Sequence, residues 1–231
     1  MTDNENIEIV FPGETVSNDI LKSASIKNKV KLGPGLKRAA EDVVSIKAGI
    51  LRTNRESNTV WVDYLQKQYI PTTNETVVGI VSKKSGDFYK VEIQAADQAL
   101  LHYLSFEGAT KKNRPEINIG DAIFGRLVVV SPDMEPELVC MTVTGKKEYF
   151  RVLPNDGFLF RVSLHLVRKL LSVDTCPLLD ILGSRFKFES AIGMNGFIWI
   201  KGETIKDTIT IATAILQFEN QTTEEIKNMF H

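Results

Sequence analysis

The sequence predicts a multidomain, mainly β chain that ends in an α+β module, and three observations carry that prediction. At 231 residues the chain is long enough for two or three compact domains. Short β-branched and aromatic runs punctuated by turn residues recur through its first two thirds. Beyond Tyr149 the periodicity changes, with Leu164, Val167 and Leu171 recurring at helical spacing. The expected domains are a small N-terminal β-domain over 1–65, a β-barrel over 66–148 and an α+β module over 149–231.

In the first domain, Ile7–Phe11, Lys29–Leu32, Val43–Ile46 and Thr59–Val62 read as strands, with Pro12-Gly13 and Gly33-Pro34-Gly35 as turns. Residues Asn18 to Asn28 are polar and read as a loop. A segment this short buries little apolar surface and is expected to lean on a neighbour.

The second domain opens with Val77–Val81 and Tyr89–Ile93, which flank the turn Lys83-Lys84-Ser85-Gly86-Asp87 and read as a hairpin. Tyr89, Val91 and Ile93 alternate with Lys90 and Glu92, giving one buried and one wet face. Ala99–Leu101, the run Ile123–Val130 led by Gly120-Asp121, and Glu137–Met141 complete about five strands. That number, with a long connection before Gly120, predicts a Greek-key barrel of the OB type.

In the third domain Leu166 and Leu170 widen the helical stripe, and Pro177–Gly183 reads as a second short helix closed by its glycine. Phe186–Glu189 alternates like a strand, Gly193-Met194-Asn195-Gly196 is a turn, and Phe197–Lys201 reads as a buried strand. A helix from about Thr204 to Phe218 and a short one from Thr223 close the chain.

Composition narrows the function. Hydrophobic residues at 43% and charged residues at 25% are those of an ordinary soluble protein. With 28 basic against 29 acidic residues, no global field draws in nucleic acid, so any such contact must be local. Cys140 and Cys176 lack Cys-x-x-Cys spacing and read as reduced core thiols, and the three histidines are scattered; neither suggests a metal site. The acidic start Met1–Asn6 is unlike a signal peptide, and no apolar run reaches membrane-spanning length. The expectation is a soluble intracellular protein without cofactor or membrane contact.

The candidate chemistry lies in the loop Ala109-Thr110-Lys111-Lys112-Asn113-Arg114-Pro115. Lys111, Lys112 and Arg114 can hold a phosphate backbone by displacing condensed counterions; the competing reading is a solvated loop. Lys83 and Lys84, expected at a hairpin tip, are further candidates beside the same bland alternative. Phe88 can offer a base-stacking face, whereas Tyr89 follows the buried alternation and belongs to the core. His102, a lone histidine beside Leu101, reads as structural. Asp121, Asp133, Glu135 and Glu137 form no paired-carboxylate or nucleophile–base constellation and read as surface acids, so no catalytic residue is assigned.

These motifs resemble a family. Val78-x-Gly, Tyr89-x-Val91 and Gly120-Asp121 look like an S1 domain, a resemblance that gives His102 a nucleic-acid-facing role as the alternative to its structural one. Phe106 to Pro115, with Met134-Glu135-Pro136-Glu137-Leu138-Val139-Cys140, is similar to the cap subunits of the eukaryotic RNA exosome. Gly193-Met194-Asn195-Gly196 followed by Ile198-Trp199 resembles the Gly-x-Asn-Gly signature of their KH domain. Phe11-Pro12-Gly13-Glu14 and Lys31-Leu32-Gly33-Pro34-Gly35 resemble their N-terminal domain. The resemblance covers nearly the whole chain in order.

It implies a noncatalytic subunit beside other S1/KH cap subunits on a ring of RNase PH-like proteins. Such a subunit threads single-stranded RNA toward an associated 3′-to-5′ nuclease, in nucleus and nucleolus and also in cytoplasm. The alternatives are a sister cap subunit or a free-standing S1/KH RNA-binding regulator. RNA-clamping KH domains grip phosphates with a Gly-x-x-Gly loop between helices. Here the loop has no cation and its flanks read as strands. Gly193, Met194, Asn195, Gly196 and Trp199 are therefore expected to be structural, with direct clamping as the competing reading.

Overall fold

The computed structural model describes residues 8–17, 30–40, 42–54, 57–141, 150–172, 176 and 178–219. The chain divides into two compact units, Met1–Leu65 and Gln66–His231.

The first unit holds β1 (Ile9–Val10), β2 (Lys31–Leu32), β3 (Leu36–Ala39), β4 (Asp42–Ser45), β5 (Gly49–Asn54) and β6 (Thr59–Asp63). One sheet runs β1-β5-β6-β2, and β3 and β4 form a separate hairpin. Alternation builds the core: in β6, Val60 and Val62 are buried on either side of the half-buried Trp61. They pack with Val10, Leu51 and Val43. The Gly33-Pro34-Gly35 turn runs along β6, where Gly33 N–H donates to Val60 O at 2.7 Å and Val62 N–H donates to Pro34 O at 3.0 Å.

In the second unit, β7 (Thr76–Ser85), β8 (Phe88–Glu92), β9 (Ala99–Phe106), β10 (Ala122–Ser131) and β11 (Met134–Cys140) form the barrel. The sheet order is β11-β9-β8-β7-β10, closed by an antiparallel β10–β11 pairing. The parallel β11–β9 pairing completes the OB topology. A short β12 (Arg151–Val152) pairs with β10 and adds to the barrel sheet. Val81, Val91, Leu101, Ile123, Leu127 and Leu138 fill the interior with almost no exposure.

The α+β module follows as β13 (Phe158–Arg161), α1 (Leu164–Leu171), α2 (Leu178–Arg185), β14 (Phe188–Ile192), β15 (Phe197–Gly202) and α3 (Ile205–Gln217). Its antiparallel sheet has the order β13-β15-β14. Ser163 caps α1 by accepting Leu166 N–H at 3.1 Å, and Thr204 caps α3 by accepting Asp207 N–H at 3.1 Å. Leu166, Leu170, Leu182, Ile200, Ile211 and Ile215 bury the helices' apolar sides with the inner sheet residues.

Several expectations are corrected. Lys83 and Lys84 lie in β7, because the hairpin turns at Gly86-Asp87 with Ser85 paired to Phe88. Gly86, at φ +60°, suits a two-residue turn, so polar residues before it still pair. Gly183 lies inside α2, which continues to Arg185. One exposed glycine costs a helix about 1 kcal/mol, which the burial of Leu178 and Leu182 offsets. The strand expected at Phe186–Glu189 begins at Phe188 and extends to Ile192, pulled into register by β15. Strands β3, β5, β12 and β13 lie outside the strands that the sequence predicts. Expectations for residues 18–28, Pro177 and the helix from Thr223 lie outside the described residues.

Candidate nucleic-acid interface

The connection from β9 to β10 is tied at both ends. Ala109 N–H donates to Phe106 O at 3.1 Å, and Ile117 is buried against the barrel interior. Gly120 N–H donates to Val81 O at 2.8 Å, and Asp121 Oδ2 accepts Asn118 N–H at 2.8 Å. Between these anchors Thr110 and Asn113 close a tight turn. Thr110 N–H donates to Asn113 O at 3.0 Å, and Asn113 N–H donates back to Thr110 Oγ1 at 3.0 Å. Lys111 and Lys112 occupy the apex, both exposed.

Arg114 does something different. Its guanidinium lies over the Tyr103 ring, 4.3 Å from the centroid, and Nη1 is 3.3 Å from Asp87 Oδ1. Asp87 belongs to the β7–β8 turn, and its carbonyl accepts Tyr103 N–H at 3.1 Å. The basic loop is thereby fastened to the hairpin that carries Phe88. Phe88 is 45% exposed and meets His102 edge-on at 4.9 Å. The His102 ring lies 4.7 Å from Tyr103, and its Nδ1 accepts Leu104 N–H at 3.1 Å. Phe88, His102, Tyr103 and Arg114 make a continuous row of planar groups. Tyr89 is buried, and Lys84 Nζ lies 5.5 Å from its ring centroid. Lys83 is exposed beside it in β7.

Tyr103 and Asp87 are the members that sequence reasoning missed. Alternation from Leu101 marks Tyr103 as inward-facing, a signal that was available. Nothing in the pattern marks Asp87 as a partner for a residue far along the chain.

The Gly193–Gly196 turn joins β14 to β15 and faces the barrel. Asn195 is fully buried. Its Nδ2 donates to Val78 O at 2.7 Å and Ile93 O at 2.9 Å, and its Oδ1 accepts Val78 N–H at 3.3 Å. Met194 N–H donates to Thr76 O at 2.9 Å, and Gly196 O accepts Val162 N–H at 2.8 Å. A Cβ on Gly193 would fall 2.3 Å from Asn195 Oδ1 and 2.5 Å from Val78 N, so only glycine fits. Trp199, 2% exposed, packs with Val78, Leu153 and Ala191. Gly157 lies so close to its indole that a Cβ there would sit 2.2 Å from Cε2. Two ion pairs flank this region, Arg151–Glu189 at 2.7 Å and Lys201–Asp156 at 2.6 Å.

Among the described residues no group of three or more His, Cys, Asp or Glu side chains is placed to hold a metal ion. Among them, too, no helix is long and apolar enough to cross a membrane. Cys140 and Cys176 are unbridged and buried, and burial pushes the Cys140 thiol far above its ordinary pKa.

Comparison with known proteins agrees with this architecture domain by domain. Residues 69–150 match the family "Exosome complex component RRP40, S1 domain", and residues 157–206 match a KH domain. Residues 30–67 match the "Exosome complex exonuclease Rrp40 N-terminal domain". The fold is also similar to a crystal structure of a putative exosome complex RNA-binding protein, with a TM-score of 0.55 at 17% identity, covering 71% of this chain and 94% of that one. The exosome complex component RRP40 of Drosophila melanogaster is 44% identical over 218 residues, covering 94% of this chain and 92% of that protein. The human protein of that name is 40% identical over 226 residues, covering 95% and 82%. The Saccharomyces cerevisiae protein is 33% identical over 216 residues, covering 90% and 87%. With identity sustained across its N-terminal, S1 and KH domains, the chain belongs to the RRP40 family of exosome complex components.

Proposed function

We propose that this chain is a noncatalytic cap subunit of the RNA exosome, acting in nucleus, nucleolus and cytoplasm. It braces a ring of RNase PH-like subunits beside other S1/KH cap subunits and guides single-stranded RNA toward the central channel for 3′-to-5′ processing and decay. An associated nuclease performs the cleavage.

The observation that carries the reading is the contrast between two loops. The Thr110–Asn113 turn presents Lys111 and Lys112 to solvent on an anchored base, whereas the Gly193–Gly196 turn spends its polar groups on the barrel. Cations contact phosphate without reading a base, which suits a conduit for many transcripts. Phe88 adds a ring on which any base can stack, and Lys83 and Lys84 add charge on the same hairpin. Ammonium groups and ring faces hold and steer a strand, which supports a guiding role. A net charge of −1 favours work within an assembly over tight autonomous binding.

Labelled single-stranded RNA, incubated with the purified chain and with the chain reconstituted on ring subunits, tests the reading. Weak binding that strengthens on the ring is expected. Degradation by the chain alone would make it a nuclease, and tight ring-independent binding would make it a free-standing regulator.

A further inference from the structure

We propose that Asp87 is a built-in competitor for RNA phosphate. It occupies the Arg114 guanidinium at rest, and an incoming phosphate takes its place. The inference rests on the reading that the β9–β10 loop contacts RNA, and it adds a residue that sets how tightly.

Arg114 is held from two sides of unequal strength. Tyr103 supports the guanidinium at 4.3 Å from a position 5% exposed, so that surface is fixed by the barrel core. Asp87 meets it through one nitrogen at 3.3 Å, longer than the roughly 2.7–2.9 Å of a strong charge-assisted bond. Both side chains are 54% exposed, so water screens the pair and a ligand can reach it. An arginine is thus pre-organised on an aromatic surface and closed by a contact weak enough to exchange.

Carboxylate and phosphate oxygens are equivalent acceptors for a guanidinium fork. When phosphate displaces Asp87, Tyr103 still holds Arg114 in place, so little further ordering is needed. The Asp87 backbone also stays beside Tyr103, because its carbonyl accepts Tyr103 N–H at 3.1 Å. The carboxylate stays within reach of the arginine, ready to re-close when the phosphate leaves. For a protein that must release each phosphate as the strand advances, a resident competing anion shortens every contact. Lys111 and Lys112, at the apex of the same loop, are held by no such acid in any recorded ion pair among the described residues.

The test uses the full chain, a fluorescein-labelled oligouridylate and anisotropy titrations across a NaCl series. The variants are Asp87→Asn, Arg114→Gln, their combination, and Lys111→Gln/Lys112→Gln. Removing the competing anion of an exposed, salt-screened ion pair such as this one shifts a binding constant by up to about fivefold, and less as salt weakens the pair. Asp87→Asn is therefore expected to bind up to about fivefold tighter at about 0.1 M salt, with a steeper slope. In the Arg114→Gln background that gain should vanish.

If the gain survives without Arg114, Asp87 acts only through the general field and the proposal is overturned. It is equally overturned if Lys111→Gln/Lys112→Gln weakens binding while Asp87→Asn changes nothing. If the double lysine variant binds like the wild type, the loop reading itself fails. Asn at 87 keeps the turn chemistry, and a thermal melt matching the wild type excludes misfolding as the cause.

Discussion

Asn195 holds both backbone polar groups of Val78: its amide oxygen accepts Val78 N–H at 3.3 Å and its amide nitrogen donates to Val78 O at 2.7 Å. A single side chain in the KH domain thus completes the backbone pairing of the first barrel strand. It donates once more, to Ile93 O at 2.9 Å, past the end of β8. The two domains are joined as an extra residue would join a sheet, through hydrogen bonds that only a carboxamide can make. Neither an acid nor an aliphatic side chain supplies both donor and acceptor in this geometry.

Replacing Asn195 with Ala strands Val78 N–H and two carbonyls at buried positions. Each buried orphan costs about 1–3 kcal/mol, though neighbouring losses do not add. A destabilisation of about 3 kcal/mol is expected, visible as a melting-temperature drop of roughly 6–12 °C. Asn195→Asp keeps the shape but turns an acceptor toward Val78 O and Ile93 O, and is expected to be at least as damaging. Calorimetry of both variants checks this; an unchanged Asn195→Asp melt would contradict the bonding described.

Trp199 and Gly157 form a second dependence at the same junction. Trp199→Ala removes a buried indole and should cost about 3–5 kcal/mol. Gly157→Ala places a Cβ inside the indole's contact distance and should displace the ring without removing it. Gly193→Ala similarly drives a methyl into Asn195 and Val78 N. All three should lower stability or assembly on the ring more than RNA affinity. A Trp199→Ala or Gly193→Ala protein that folds and assembles normally yet loses RNA would overturn the structural role.

Asp156 sets an acid-side signature. A hydrogen bond from Lys201 is the main influence holding its carboxyl below the ordinary pKa, with direct charge attraction acting the same way. Because the folded value is depressed, the stabilisation is present above the unfolded value and is lost as pH falls through the folded one. Lys201→Gln should melt below the wild type near neutrality, and the gap should narrow as pH drops below about 4. Melting curves across an acid pH series check this; a gap that widens toward acid would have the wrong sign.

Much of the architecture was legible because it is written in local alternation and capping. Val60 and Val62 on either side of Trp61, Tyr89 through Ile93, and Leu164 to Leu171 each carry their period without help from distant residues. Strands β3 and β5 escaped because Leu36-Lys37-Arg38-Ala39 and Gly49–Asn54 lack sustained alternation and acquire strand geometry from their partners. At Lys83 and Lys84 polarity imitates a turn signal, whereas the two-residue turn at Gly86-Asp87 lets pairing run up to it. At the interface, Lys111, Lys112 and Phe88 announce themselves by residue type. The Asp87–Arg114 contact and the Asn195 bonds do not, since they join positions that only the closed fold brings together.

Lys111, Lys112 and Phe88 are separable by how their loss responds to salt. The lysines act through counterion release, so Lys111→Gln/Lys112→Gln should flatten the dependence of log affinity on log salt by about 1.4 on single-stranded RNA. Their deficit should therefore shrink as salt rises. Phe88→Ala removes a stacking face worth about 1–3 kcal/mol per base and carries no charge, so its deficit should stay constant across the series. All these side chains are exposed, so stability should change by less than about 0.5 kcal/mol. Anisotropy titrations with one oligouridylate over a range of NaCl concentrations measure both slopes. Equal salt responses would mean that the ring and the cations do not act by separate chemistry. A Phe88→Ala protein with unaltered affinity would remove the ring from the interface and leave the contact to phosphate alone.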